Sequence, residues 1–260
     1  MDLISPYSLC VLSLELLART KESLGYATAV IMQARGRYFL VTNYHVLSGR
    51  HPYTTDQNAE AIPDFVRVKY LVQKAGVELP RSVEIDHPLY RDEDKPLWIA
   101  LAKEKRMLPT EANGVKLAID VAILEVSKIP QNVGVLQFDP PTEFLIPVME
   151  QVAIIGYPFH LSGTEDLPLW LSGTVASDLA NRPYRRCFFV DAKTREGCSG
   201  SLVVLKTKGA RVDRPGGKTD GQGDVFHTVG IYSGRLPGNS DIGIVWHWNT
   251  VAQTLGEVFV

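Results

Sequence analysis

From about the tenth residue almost to the end, apolar and polar residues alternate in short bursts, each closed by turn formers such as Gly, Pro, Asn or Asp. A period of two over such lengths suits strands with one buried face, so the chain reads as all-β. Strands are predicted in the first half over Cys10–Leu16, Ala27–Gln33, Tyr38–Thr42, Phe65–Val72, Val83–Asp86, Leu97–Leu101 and Val121–Val126. In the second half they fall over Gln151–Ile155, Leu169–Ala176, Arg186–Asp191, Ser201–Lys206, Thr228–Tyr232 and Ile242–His247. Arg35-Gly36 reads as a hairpin turn. The polar stretches Ser48–Pro63, Lys103–Gly114 and Lys206–Phe226 read as surface loops. Pro130 to Pro147 carries four prolines, which cannot donate ladder hydrogen bonds, so the joint between two halves is placed there. Asn249 is expected to cap a closing helix. The predicted fold is two packed six-stranded antiparallel β-barrels with a short C-terminal helix. Residues 1–135 form the first barrel, 136–148 the linker, 149–248 the second barrel and 249–260 the helix. Two small separate β domains are the alternative.

Three fragments bear chemistry. In Thr194-Arg195-Glu196-Gly197-Cys198-Ser199-Gly200-Ser201 a serine lies between glycines and before a strand. Glycines there allow backbone N–H groups to converge on one spot, where an oxyanion could form. Gly-Ser turns are common, and the stretch gains meaning from two others. Val41-Thr42-Asn43-Tyr44-His45-Val46-Leu47 sets a histidine at a strand end. Ala118-Ile119-Asp120-Val121-Ala122-Ile123-Leu124 sets a carboxylate inside an apolar run. Burying that carboxylate costs several kcal/mol unless something hydrogen-bonds it, and a histidine is a suitable partner. A serine hydroxyl needs a base to take its proton, and the base needs a carboxylate to hold its tautomer. His45 and Asp120 fall in the first half and Ser199 in the second. The halves must then pack face to face, with the site in the cleft between them.

With these fragments the chain resembles a trypsin-like (chymotrypsin-fold) serine protease of the bacterial type, similar to the HtrA protease domain and the glutamyl endopeptidases. TNYHV matches the family's histidine segment, DVAILEV its aspartate strand and GCSGS its nucleophile turn. VAIIGYP, VGIYSG and IGIVWHWNTV echo further family segments in order. The resemblance implies Ser199 as nucleophile, His45 as general base and Asp120 as its orienter. It implies an oxyanion hole from the N–H groups of Gly197 and Ser199, and a hydrogen bond from Ser233 to Asp120. It also implies a substrate pocket from Lys193, Thr194, Tyr232, Ser233 and Gly234. Lys193 at the pocket floor would favour an acidic side chain before the scissile bond. Val46 and Cys198 depart from the secreted animal members, and no N-terminal activation site appears, so activation by clipping is not expected. Two rivals stay open: an inert pseudoprotease serving as a peptide-binding module, and an esterase-like acyl hydrolase on the same site.

The 260 residues are 45% hydrophobic and 22% charged, with a net charge of −2. So even a balance gives no reason to expect nucleic acid or an anionic membrane as partner. No apolar run approaches the ~20 residues a bilayer crossing needs. Asp2, and the lack of Lys or Arg before Ser8–Leu17, argue against a secretion signal. Three cysteines without metal-type spacing fit free thiols in a reducing, cytoplasmic setting. No cofactor is expected. His51, His87, His160, His227 and His247 lack ligand spacing, and Pro215–Thr219 lacks the glycine and helix of a phosphate loop. The expected partners are a protein or peptide substrate and a regulatory protein.

Overall fold

Pro6, with the fixed φ that suits a first helical position, starts the one-turn helix α1 (Pro6–Cys10). The strand predicted from Cys10 therefore begins one residue later. Strands β1 (Val11–Leu17), β2 (Ser23–Ala34) and β3 (Arg37–Thr42) follow, then the single turn α2 (Tyr44–Ser48). Next come β4 (Phe65–Val72), β5 (Arg81–Pro88), β6 (Trp98–Ala100), β7 (Met107–Ala112), β8 (Val115–Ala118), β9 (Ala122–Val126) and β10 (Leu136–Gln137). The second half holds β11 (Gln151–Gly156), β12 (Leu169–Val175), β13 (Cys187–Asp191), β14 (Leu202–Lys208), β15 (Asp224–Arg235), β16 (Ile242–His247) and helix α3 (Trp248–Gly256). The computed structural model describes residues 4–50, 61–73, 77–92, 95–101, 107–112, 115–138, 146–178, 186–208, 224–236 and 240–259.

The second half closes into a six-stranded barrel, β11-β12-β13-β16-β15-β14, as expected. The first half is larger than expected, an eight-stranded sheet in the order β5-β4-β1-β2-β3-β9-β6, with β10 joined to β2 in parallel. Lys103–Gly114 is not all loop, because β7 (Met107–Ala112) pairs antiparallel with β8 (Val115–Ala118); 102–106 and 113–114 lie outside the described residues. So do 51–60 of the expected loop Ser48–Pro63, 139–145 of the expected linker, and 209–223, which include the PGGKT stretch. The closing helix starts at Trp248 rather than after Asn249. His247 takes the cap position without a side-chain capping bond, since β16 runs straight into the helix.

Side-chain alternation assigns each strand two faces. Val203 and Leu205 of β14, Val152 and Ile154 of β11, and Val245 of β16 point into the barrel. Their neighbours Leu202, Val204, Ile155, Ile244 and Trp246 point out, and join the core of the first sheet. Trp248, Val251 and Leu255 of α3 add to the same shared core. β2 therefore has apolar residues on both sides, and Ala27 to Met32 are buried without a break. Burying each large aliphatic is worth roughly 1.5–3 kcal/mol, so the seam between the halves is a stabilising core in its own right. Arg35 and Gly36 both have positive φ (48° and 75°), as a two-residue hairpin turn requires. On the solvent face, register pairs Glu15 with Arg67 and Arg67 with Asp86, and Arg67 bonds both carboxylates (3.2 and 2.8 Å). A slip by one residue would break that ladder.

His87 on β5 is buried, with Nε2 2.8 Å from the Tyr70 hydroxyl. Desolvation pushes its imidazole down to about 4, so the folded protein holds it neutral. Unfolded, it takes a proton below about pH 6.5, so acid favours the unfolded chain across the window from there to about 4. The loss is at most about 3 kcal/mol. Urea midpoints at about pH 7 and 5 should therefore diverge more in the native protein than in His87→Gln, which cannot titrate. Equal divergence would show that His87 is not the group responsible.

Candidate active site

β3 ends at Thr42, and the buried Asn43 turns the chain into α2, which carries His45 at its second position. Gly49 closes that single turn in the left-handed region, its N–H bonded to the His45 carbonyl at 2.9 Å. Asn43 reaches across and donates to the backbone oxygen of Asp120 (2.7 Å). Asp120 lies just before β9, the partner of β3, so the pairing of these strands brings histidine and carboxylate together. The carboxylate is fully buried and satisfied on both oxygens. Oδ1 accepts the His45 backbone N–H at 2.9 Å. Oδ2 accepts from His45 Nδ1 at 2.7 Å and from the Ser233 hydroxyl at 2.5 Å. Nδ1 thus carries the imidazole proton, and Nε2 presents a lone pair.

That lone pair lies 3.1 Å from Ser199 Oγ. The serine hydroxyl has a second acceptor, the Ser233 carbonyl, also at 3.1 Å. Ser199 comes from the second half, on the turn before β14. Gly197 and Gly200 take φ of +88° and +85° there, where a side chain is disfavoured. Space forbids one as well. A Cβ on Gly197 would lie 2.2 Å from the Tyr157 oxygen, and one on Gly200 would lie 1.9 Å from the Thr28 oxygen. Thr28, in the middle of β2, grips the turn from the other half. Its N–H donates to the Ser199 carbonyl (2.8 Å) and its hydroxyl to the Gly197 carbonyl (2.7 Å).

The Glu196 carbonyl accepts the Phe159 N–H at 2.6 Å. In a trans peptide the C=O and the following N–H point opposite ways, so the Gly197 N–H faces away from Phe159. Phe159 and His160 themselves have left-handed backbone (φ 53° and 58°). Two hydrogen-bonded turns overlap there, His160 N–H to Tyr157 O and Leu161 N–H to Pro158 O. Left-handed positions in such turns normally belong to glycine or asparagine, so Phe159 and His160 each cost about 1–2 kcal/mol there.

The residues expected around a substrate pocket divide. Thr194 and Tyr232 are buried, and their hydroxyls bond each other. Desolvation first of all pushes the Tyr232 phenol up to about 12, so it stays protonated. Ser233 is buried against Asp120, and the space beside Gly234 is open, with nothing within 4 Å of an added Cβ. Lys193 does not form a buried floor. Burial alternates from Ala192 to Arg195, so Thr194 is buried and Lys193 exposed. Cys198 faces the barrel interior, where burial pushes its thiol up and keeps it protonated, unsuited to act as a nucleophile. Thr28, Thr42, Asn43 and the Phe159–His160 turn were not among the residues anticipated. Thr42 and Asn43 lie within the histidine fragment, whereas Thr28 and the Phe159–His160 turn carry no local mark.

A family model described as the trypsin-like peptidase domain matches residues 27–212. The chain belongs to the trypsin-like peptidase family. Among solved structures, this trypsin-like peptidase is similar to Deg5, with a TM-score of 0.54 and 16% identity over 97% of this chain and 90% of that one. It is also similar to the serine endoprotease from Yersinia pestis, with a TM-score of 0.51 and 16% identity, over 98% of this chain and 66% of that one. The Rv3671c protease from M. tuberculosis aligns with a TM-score of 0.46 at 18% identity, over 96% and 81%. At such identities the likeness is one of fold. A search of curated protein sequences returned no significant match.

Proposed function

We propose that this chain is a serine endopeptidase acting on protein or peptide substrates through an acyl-enzyme on Ser199. One observation carries the reading: a histidine with one ring nitrogen 2.7 Å from a fully buried carboxylate and the other 3.1 Å from a glycine-flanked serine hydroxyl. In this reading Ser199 Oγ attacks the scissile carbonyl carbon as its proton passes to His45 Nε2. Asp120 keeps the proton on Nδ1 in place and stabilises the imidazolium. The Gly197 and Ser199 N–H groups receive the negative charge on the carbonyl oxygen, each worth roughly 3–4 kcal/mol of barrier. His45 then gives its proton to the departing amine, leaving an ester to Ser199. Water attacks that ester with His45 again as base, releasing the acid and restoring the hydroxyl.

The direction of the Glu196–Gly197 peptide supports an enzyme over an inert binding module. A carbonyl turned into the hole would repel the oxyanion, and here that carbonyl is taken up by the Phe159 N–H. Incubation with a fluorophosphonate, followed by mass mapping, should place the phosphonyl group on Ser199. An unmodified Ser199, with the probe elsewhere or nowhere, would reject the reading.

A further inference from the structure

The turn at Phe159–His160 belongs to the second half, yet what holds it lies in the first. The His160 ring stacks on Tyr26 of β2, with ring centroids 3.9 Å apart and planes 25° from parallel. Its Nδ1 is 3.2 Å from the hydroxyl of Ser13 on β1. The backbone at these two positions is left-handed without being glycine, a conformation that persists only where its surroundings hold it. Its neighbour's amide meanwhile makes the 2.6 Å bond that turns the Glu196 carbonyl outward.

We propose that His160 is a positioning residue for the oxyanion hole: clamped between Tyr26 and Ser13, it keeps the Phe159 turn left-handed and so keeps the Gly197 N–H facing the Ser199 hydroxyl. The chain of contacts is continuous, from the first sheet to the imidazole, to the turn, to one peptide plane. Released from the clamp, the turn relaxes to right-handed backbone and its amide swings away from Glu196. The 196–197 peptide is then free to rotate, and one donor is lost at the moment charge develops. Ground-state binding of a substrate does not use that donor, so the effect falls on the chemical step. The inference rests on Ser199 being the nucleophile proposed above.

The test compares fluorophosphonate labelling of the full chain and of His160→Ala over a range of probe concentrations. The maximal labelling rate is expected to fall by about ten- to a hundredfold with half-saturation unchanged, short of the 10²–10³ that outright loss of a donor costs. His160 lies at the solvent edge of the seam, so the melting temperature should hold. Adding Phe159→Gly, which lifts the left-handed penalty but keeps the amide, should recover most of the lost rate. A merely structural role would give no such rescue. His160→Ala labelled at the native rate would overturn the proposal, and so would a loss that Phe159→Gly leaves in place. A native protein that takes no label at Ser199 would instead reject the reading of the active site.

Discussion

Asp120→Asn is expected to slow phosphonylation of Ser199 by roughly four orders of magnitude while the fold stands. The geometry dictates this outcome through the imidazole tautomer. Oδ1 faces the His45 backbone N–H and Oδ2 faces Nδ1, so the native carboxylate accepts on both sides. An amide has one oxygen and one NH₂. Turned so that its oxygen meets the backbone N–H, its NH₂ donates to Nδ1. The ring proton must then sit on Nε2, 3.1 Å from Ser199 Oγ. A nitrogen already carrying a proton cannot take another, and the base is disabled without moving an atom far. The opposite orientation sets NH₂ against the backbone N–H, donor against donor. Labelling rates by mass spectrometry, beside a thermal melt, check the claim. A rate within tenfold of native would mean that His45 does not depend on Asp120 for its tautomer.

Gly200→Ala should be as damaging to stability as Asp120→Asn is to chemistry. The added methyl would lie 1.9 Å from the Thr28 oxygen and 2.3 Å from Thr42 Oγ1, at a φ of +85°. Neither neighbour can withdraw cheaply. The Thr42 hydroxyl donates to the Thr28 oxygen at 2.7 Å, inside the buried seam. The turn cannot retreat either, because Gly200 N–H is bonded to the Tyr232 oxygen and Ser201 N–H to the Cys198 oxygen. Left-handed strain of about 1–2 kcal/mol adds to at least one buried hydrogen bond lost, itself worth about 1–3. The sum, about 4 kcal/mol, is a large part of a typical stability of about 5–15. Urea unfolding should show it, with Gly234→Ala as control, since a methyl there meets nothing within 4 Å. Similar midpoints for the two variants would show that the Gly200 turn relaxes more freely than its contacts indicate.

His45, Asp120 and Ser199 could be read from sequence because each is marked by its own neighbours: a strand end, an apolar strand and a pair of glycines. That is local information, and the strands of both halves were legible for the same reason. The β7–β8 hairpin was not, because clustered charges and Pro109 hide a weak alternation. α1 is too short to show a helical period, and Cys10 suits a strand as well as a helix end. Lys193 stood at the right distance from the serine, yet a one-residue alternation sends its side chain out and Thr194 in. His160 carries no local signal. Its meaning comes from Ser13 and Tyr26, which lie more than a hundred residues away in the chain and meet it only in three dimensions.

β2 has one further implication. Its far end holds β10, the first stretch of chain on the way to the second half, and its middle holds Thr28 against the backbone of the Ser199 turn. The crossing segment and the Ser199 turn are thus moored to the same rod. Cutting the protein at the crossing would strip the serine loop of its scaffold even if the barrel kept its shape. Two separately made fragments should be silent and regain reactivity only on reassociation, so neither can be traded as an independent cassette.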